Sequence, residues 1–225
     1  MADTERTGAT GLRQMVEAVE EDILFGRLYP RERLVEEQLA LRFGANRHHV
    51  REALAELERM GMVERRRNRG AVVREFTPDD ALHLYAVREA LEQLAARTIP
   101  LPAAPAVLVE LRRVQTAHAA AVEAGDARTT FRRNVEFHQV LFGASGNPYL
   151  REAIASYTQR SHAIRASTIA DPAYLRAACD EHWAMIDALA AHDRERLVNL
   201  CSVHILRGRD AYVAAYRARF EGEAR

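Results

Sequence analysis

The sequence predicts a mainly α-helical chain in two parts: three helices closed by a short β-hairpin, then an antiparallel bundle of six or seven helices. Three observations predict it. Apolar residues recur at helical spacing over almost the whole length. The exception is Met62 to Val73, where two short runs with β-branched residues flank Arg67-Asn68-Arg69-Gly70 and read as strands around a turn. From Thr77 onward the helical pattern is interrupted only by proline, glycine and aspartate at intervals suited to antiparallel helices.

The first helix spans Leu12 to Phe25, with Met15, Val19, Ile23 and Leu24 on one stripe, and Gly26 ends it. The turn Leu28-Tyr29-Pro30 leads to a second helix near Val35 to Phe43, with Leu39 and Phe43 on one face and Glu36 and Glu37 on the other. Gly44 lacks the Cβ that would oppose a left-handed turn, and Asn46 is a good N-cap for a third helix, Asn46 to Met60. Val50, Leu54 and Leu57 form its inner stripe, leaving Arg47, His48 and Arg51 outward. Its first turn, Arg47-His48-His49-Val50-Arg51, places cations where the helix dipole favours negative charge. A polyanion against that end resolves the mismatch, as when the N-terminal residues of a recognition helix enter the major groove. With the hairpin as a wing, residues 8–75 read as a winged helix-turn-helix.

Thr77 followed by Pro78 is an N-cap and first-turn pair that opens the second part, residues 76–222. Helices are expected near 78–97, 104–124, 126–144, 147–168, 171–191 and 193–220. A bundle of this size can enclose a ligand between facing helices.

Formal net charge is zero, which argues against a protein that coats nucleic acid non-specifically. The distribution is uneven: Arg65 to Arg74 holds five arginines and no acid, whereas Glu17 to Asp22 and Glu32 to Glu37 are acid-rich. The local run beside a recognition helix favours contact with phosphate or the minor groove over a merely solvated face. The longest weakly charged stretch, Thr98 to Glu110, contains Pro100, Pro102 and Pro105, so no membrane span is expected. Met1 to Thr10 is polar, unlike a signal peptide, so the expectation is a cytoplasmic protein with Cys179 and Cys201 as free thiols.

At this point the chain resembles the GntR superfamily of bacterial transcription regulators, and within it the FadR branch with an all-helical FCD effector domain. The likeness covers nearly the whole chain: Ile23 to Gly26, Pro30 to Leu41, Gly44, Arg47, Val50 to Leu54, Leu57, Gly61, Val63 and Asn68-Arg69-Gly70 agree at fixed spacing. The resemblance implies that Arg33, Arg47, Arg51 and Gly70 approach double-stranded operator DNA. The charge run adds Arg67 and Arg69. Family members usually carry Ser-Arg-Thr-Pro-like residues where this chain has Asn46-Arg47-His48-His49. One reading is altered base readout, chiefly through His48, whose imidazole can donate or accept in the major groove. The other is that His49 simply replaces a helix-starting proline.

In the second part, Asn134 and His138 lie one turn apart on one helical face, and His182 and His204 fall on two later helices. Three imidazoles and an oxygen donor suit a divalent transition metal such as zinc, nickel or manganese. Spacing alone leaves this as one of many trios that nine histidines offer. The resemblance selects it. FCD domains carry Asp-x-x-x-His where this chain reads Asn134-Val135-Glu136-Phe137-His138, a second histidine matched by His182, and a third matched by His204. The amide of Asn134 brings no charge, so the centre should be more cationic and suited to an anionic effector. The alternative is that the histidines bind the effector without metal. Arg88 matches an arginine that the family turns into the pocket to grip a carboxylate; pairing with Glu92 on the helix surface is the competing role.

The function expected is a ligand-responsive regulator, a repressor acting as a homodimer on a pseudo-palindrome, responsive to a small organic acid. A metal-free, acyl-CoA-responsive regulator is the alternative. A metal-dependent hydrolase is disfavoured because no paired carboxylate or nucleophile and base accompanies the histidines; Glu136 and Glu181, adjacent to them in sequence, are expected to point elsewhere. No enzyme activity is expected.

Overall fold

The computed structural model describes residues 2–66, 70–165, 168–169 and 171–220. The chain divides into two compact units, residues 1–76 together with 159–166, and residues 77–158 together with 167–225.

In the first unit, α1 (Ala2–Leu24) begins ten residues before the expected start, because backbone bonding continues past the N-terminal end of the apolar stripe. Helix α2 (Glu36–Phe43) ends at Gly44, whose φ of 59° is left-handed. The Ala45 N–H returns to the Ala40 carbonyl at 3.0 Å, closing the turn. Helix α3 (Arg47–Arg59) starts at Asn46, whose side chain accepts from the His49 N–H at 2.9 Å. Strands β2 (Val63–Arg66) and β3 (Gly70–Val73) form the wing in antiparallel register, Val63 opposite Val73 and Arg66 opposite Gly70. A two-residue strand, β1 (Arg33–Leu34), pairs with β3 and gives the sheet order β1-β3-β2. It is too short for period-two alternation to reveal. Met15, Val19, Ile23, Leu39, Val50, Leu54, Leu57, Val63 and Val73 form one core.

Asp22 anchors this unit from inside. Its carboxylate takes Arg27 on one oxygen and Arg42 on the other, each at 2.5 Å. Burial works to raise its pKa, but Arg42 and Arg27 outweigh it and hold the carboxyl below its ordinary value.

The second unit opens with α4 (Pro78–Thr98). Its capping box is reciprocal: Thr77 Oγ1 accepts from the Asp80 N–H, and Asp80 Oδ2 accepts from the Thr77 N–H. Then come α5 (Pro105–Glu123), α6 (Ala127–Gly143) and α7 (Pro148–Arg160), followed after the four-residue α8 (His162–Arg165) by α9 (Pro172–Ala190) and α10 (Arg194–Phe220). Helix α4 packs on α10, α5 on α6 and α9, and α9 on α10. The shared core includes Leu111, Phe137, Leu141, Met185, Ile186, Leu189 and Leu197.

The single helix expected over 147–168 is broken at Ser161, whose carbonyl accepts from Ile164 and Arg165 and restarts the helix as α8. Helix α8 belongs to the first unit and packs on α1, where His162 Nδ1 lies 2.7 Å from Glu20 Oε1. His162 thus has a structural role in the core of the first unit. Cys179 and Cys201 are free thiols, both pushed above the ordinary thiol range by burial.

Candidate functional site

On the first unit, Arg47 opens α3 and Arg51 lies one turn later, both exposed. Each already holds a carboxylate of α2: Arg47 donates to Glu37 at 2.7 Å and Arg51 to Glu36 at 2.9 Å. Exposed pairs of this kind contribute roughly 0–1 kcal/mol, so a phosphate can replace the carboxylate at small cost. His48 is exposed, with Nε2 3.5 Å from Glu52 Oε1. His49 is half-buried and gives its backbone N–H to the Asn46 cap, which fits a role in starting the helix.

Arg33 is exposed on β1. Gly70 begins β3 at a φ of 71°, a conformation that glycine adopts without strain. Arg67 and Arg69 lie outside the described residues. Their neighbours Arg65 and Arg66 pair with Glu58 and Glu64, so the wing is less purely basic than the arginine run suggested.

In the second unit, α6, α9 and α10 bring His138, His182 and His204 together. One ring nitrogen of each lies within 4.8 Å of the others. The Nε2 atoms of His138 and His204 are 3.1 Å apart. Two nitrogens at about 2.05 Å from one tetrahedral ion would be about 3.3 Å apart, a spacing the His138–His204 pair already has, while the third nitrogen lies within 4.8 Å and would close in on the ion. Phe137 stacks on His182 with centroids 4.0 Å apart and planes 13° from parallel, and Phe142 stacks on His138. These ring contacts orient the imidazoles. Asn134 is buried one turn before His138, and its Nδ2 has no hydrogen-bond partner. An unpaired buried amide NH2 is a donor and suits an added acceptor such as an anion.

Two side chains that the sequence left aside belong to this cluster. Gln115 of α5, fully buried, places Oε1 2.8 Å from His182 Nδ1 and donates from Nε2 to the Cys179 carbonyl at 3.2 Å. Glu181 places Oε2 2.8 Å from His204 Nδ1, while Arg207 takes its other oxygen. The expectation that Glu181 points elsewhere is thus wrong. Glu136 does face outward, to Arg113 and Arg133. A signal for Gln115 exists: it is a polar residue inside the stripe Leu111, Val114, His118, Ala121. His118 packs beside His182 and lies 3.4 Å from the Cys179 sulfur.

Arg88 combines both competing roles. It donates to Glu92 at 2.8 Å, yet the pair is buried rather than on the surface, with the guanidinium 4.9 Å from the Tyr85 ring centroid. Burial disfavours its charge, but Glu92 and then Tyr85 outweigh that and raise its pKa further. Across from Tyr85, Gly208 of α10 is approached by Tyr174 Oη so closely that a Cβ would stand 2.9 Å from it.

The family model described as "FCD domain" matches residues 83–207, and the one described as "Bacterial regulatory proteins, gntR family" matches residues 12–73. The "Uncharacterized HTH-type transcriptional regulator YdhC" of Bacillus subtilis (strain 168) is 31% identical over 144 residues, a match spanning just under two thirds, 64%, of each chain. The "Probable D-xylose utilization operon transcriptional repressor" of Paenarthrobacter nicotinovorans is 28% identical over 199 residues, covering 88% of this chain and 87% of that one. The solved structure titled "E. coli McbR/YncC" superposes with a TM-score of 0.78 at 22% identity, over 92% of this chain and 98% of the other, a likeness of fold.

Proposed function

The chain belongs to the FCD-domain family and carries a gntR-type DNA-binding segment, and from that premise we propose a metabolite-responsive repressor of the FadR branch. In this reading it works in the cytoplasm as a homodimer, with residues 8–75 on operator DNA and residues 76–222 as sensor. No helix among the described residues is long and apolar enough to cross a membrane, in keeping with that location.

The observation that carries the sensor half is the convergence of His138, His182 and His204 from three helices into one cluster, His182 and His204 buried and His138 half-buried. A divalent ion held there would supply a positive anchor for an effector carboxylate. Asn134 lends an uncharged oxygen in place of a carboxylate, which leaves that positive charge available to an anion. Arg88, buried and paired with Glu92, is the cation proposed to grip the rest of the acid, exchanging one carboxylate for another. Arg33, Arg47, His48, Arg51, Arg67, Arg69 and Gly70 make the operator face. An effector biases operator affinity only to the extent that it binds one arrangement of the dimer more tightly.

The test is metal analysis of protein purified without an affinity tag, followed by gel-shift titration with organic acids before and after chelation. Co-purifying metal at one ion per chain, an acid that shifts operator affinity and recovery of that acid unchanged are expected. Metal-free protein with an undiminished response would overturn the metal; turnover of the acid would overturn the regulator.

A further inference from the structure

The hydrogen bonds behind the histidine cluster determine which ring nitrogen each histidine presents. The Cys179 carbonyl carries only lone pairs, so the Gln115 side chain must turn its NH2 toward it, and the 3.2 Å bond is made that way. Gln115 Oε1 then faces His182 Nδ1 at 2.8 Å and can only accept. His182 Nδ1 therefore bears the proton, and in the neutral ring the lone pair is on Nε2. The same logic holds for His204. Glu181 Oε2, an acceptor, lies 2.8 Å from Nδ1, which puts the His204 lone pair on Nε2, the atom facing His138.

We infer that Gln115 and Glu181 are positioning residues for the metal centre: each fixes one histidine as the Nδ1–H tautomer so that Nε2 is presented as a ligand before any ion arrives. The inference rests on the metal reading above. Neither residue touches the ion. They act through His182 and His204, and such outer partners commonly change metal affinity on the order of 10- to 100-fold.

The arrangement makes an unusual demand on Glu181. Arg207 Nη2 lies 2.5 Å from its Oε1 in an ion pair, so one oxygen already faces a cation. In Glu181→Gln, which changes shape little, Arg207 claims the single remaining oxygen. The new NH2 then faces His204 Nδ1 as a donor, Nδ1 must accept, and the proton moves to Nε2. An isosteric change thereby inverts the tautomer and blocks the ligand atom. Gln115→Met removes the acceptor that faces His182 Nδ1 and with it this constraint on the tautomer.

The experiment uses full-length, metal-stripped protein labelled with ¹⁵N in histidine. Long-range proton–nitrogen spectra identify the protonated nitrogen of each ring, and zinc affinity is measured by competition with a chromophoric chelator. Wild type should show Nδ1–H at His182 and His204 and bind zinc. E181Q should show Nε2–H at His204, and both variants should bind zinc on the order of 10- to 100-fold more weakly. Nε2–H at either ring in wild type, or unchanged zinc affinity in variants with wild-type circular dichroism, overturns the positioning role while leaving the metal reading intact. Failure of wild type to bind zinc, nickel or manganese overturns the metal reading and this inference with it.

Discussion

His138 and His204, 66 positions apart in sequence, bring their Nε2 atoms within 3.1 Å of each other. Two lone pairs directed at one another at that distance repel, so the contact requires a shared proton or a shared cation. Helices α6 and α10 are held at this separation by the core around Phe137 and Leu197, so the closeness is set by packing and not by the imidazoles themselves.

Replacement of either histidine should therefore cost far more metal affinity than structure. His138→Ala and His204→Ala are expected to lose zinc binding by at least a hundredfold, the cost of one of three strong ligands. Calorimetric titration with zinc measures it. A metal-dependent rise in melting temperature, present in wild type, should vanish in both, since only a bound ion stabilises by mass action.

Asn134→Asp should shift the balance between metal and anion. A carboxylate at this buried position adds negative charge one turn from His138, so zinc should bind about tenfold or more tightly. Affinity for acetate in a cobalt-loaded sample, read from the visible spectrum, should fall. Tighter acetate binding would count against Asn134 as the residue that leaves the centre cationic.

On the proposed operator face, Arg51→Ala should weaken specific binding by about 1–3 kcal/mol if it reads a base edge. If Arg47 contacts phosphate, Arg47→Ala should reduce the salt-dependence slope by about one. Glu36→Gln and Glu37→Gln have the opposite sign, because they release Arg51 and Arg47 from their intramolecular carboxylates. Fluorescence anisotropy over a salt series checks all four. A selection of random duplexes with His48→Thr tests base readout: an altered consensus is expected, and an unaltered one removes His48 from the reading set.

Asp22 predicts a pH dependence of stability. Its pKa is depressed in the folded protein, so its contribution is complete above the ordinary carboxylate range and is lost as pH falls through the depressed value. Asp22→Asn should destabilise the first unit by about 2 kcal/mol near neutrality, the scale of a buried charge-assisted bond. The gap from wild type should narrow in acid. Chemical denaturation at several pH values measures it.

Most of the fold could be read in advance because the helices carry their own punctuation. The cap at Asn46, the Thr77-Pro78 pair and the Asp171-Pro172 start placed their helix boundaries within a residue or two. Strand β1 escaped, being two residues whose partners lie on β3, far along the chain. The break at Ser161 escaped because no glycine or proline marks it. In the candidate site, the three histidines were selected by resemblance and are brought together by packing. Gln115 stands out only as a polar residue in an apolar stripe and Glu181 not at all, since their roles arise from partners 67 and 23 positions away that no local period encodes.

The position of α8 has a consequence for modularity. The polypeptide crosses between its two units three times, so the first 76 residues are not a self-contained cassette. A chimera that exchanges only those residues for another reader head severs Glu20 from His162 and confronts a foreign first helix with the native 159–166 segment. Rewiring the regulator to a new promoter therefore means transplanting two separated pieces of sequence, and recombination at the single joint near Phe76 gives a head missing one of its own parts.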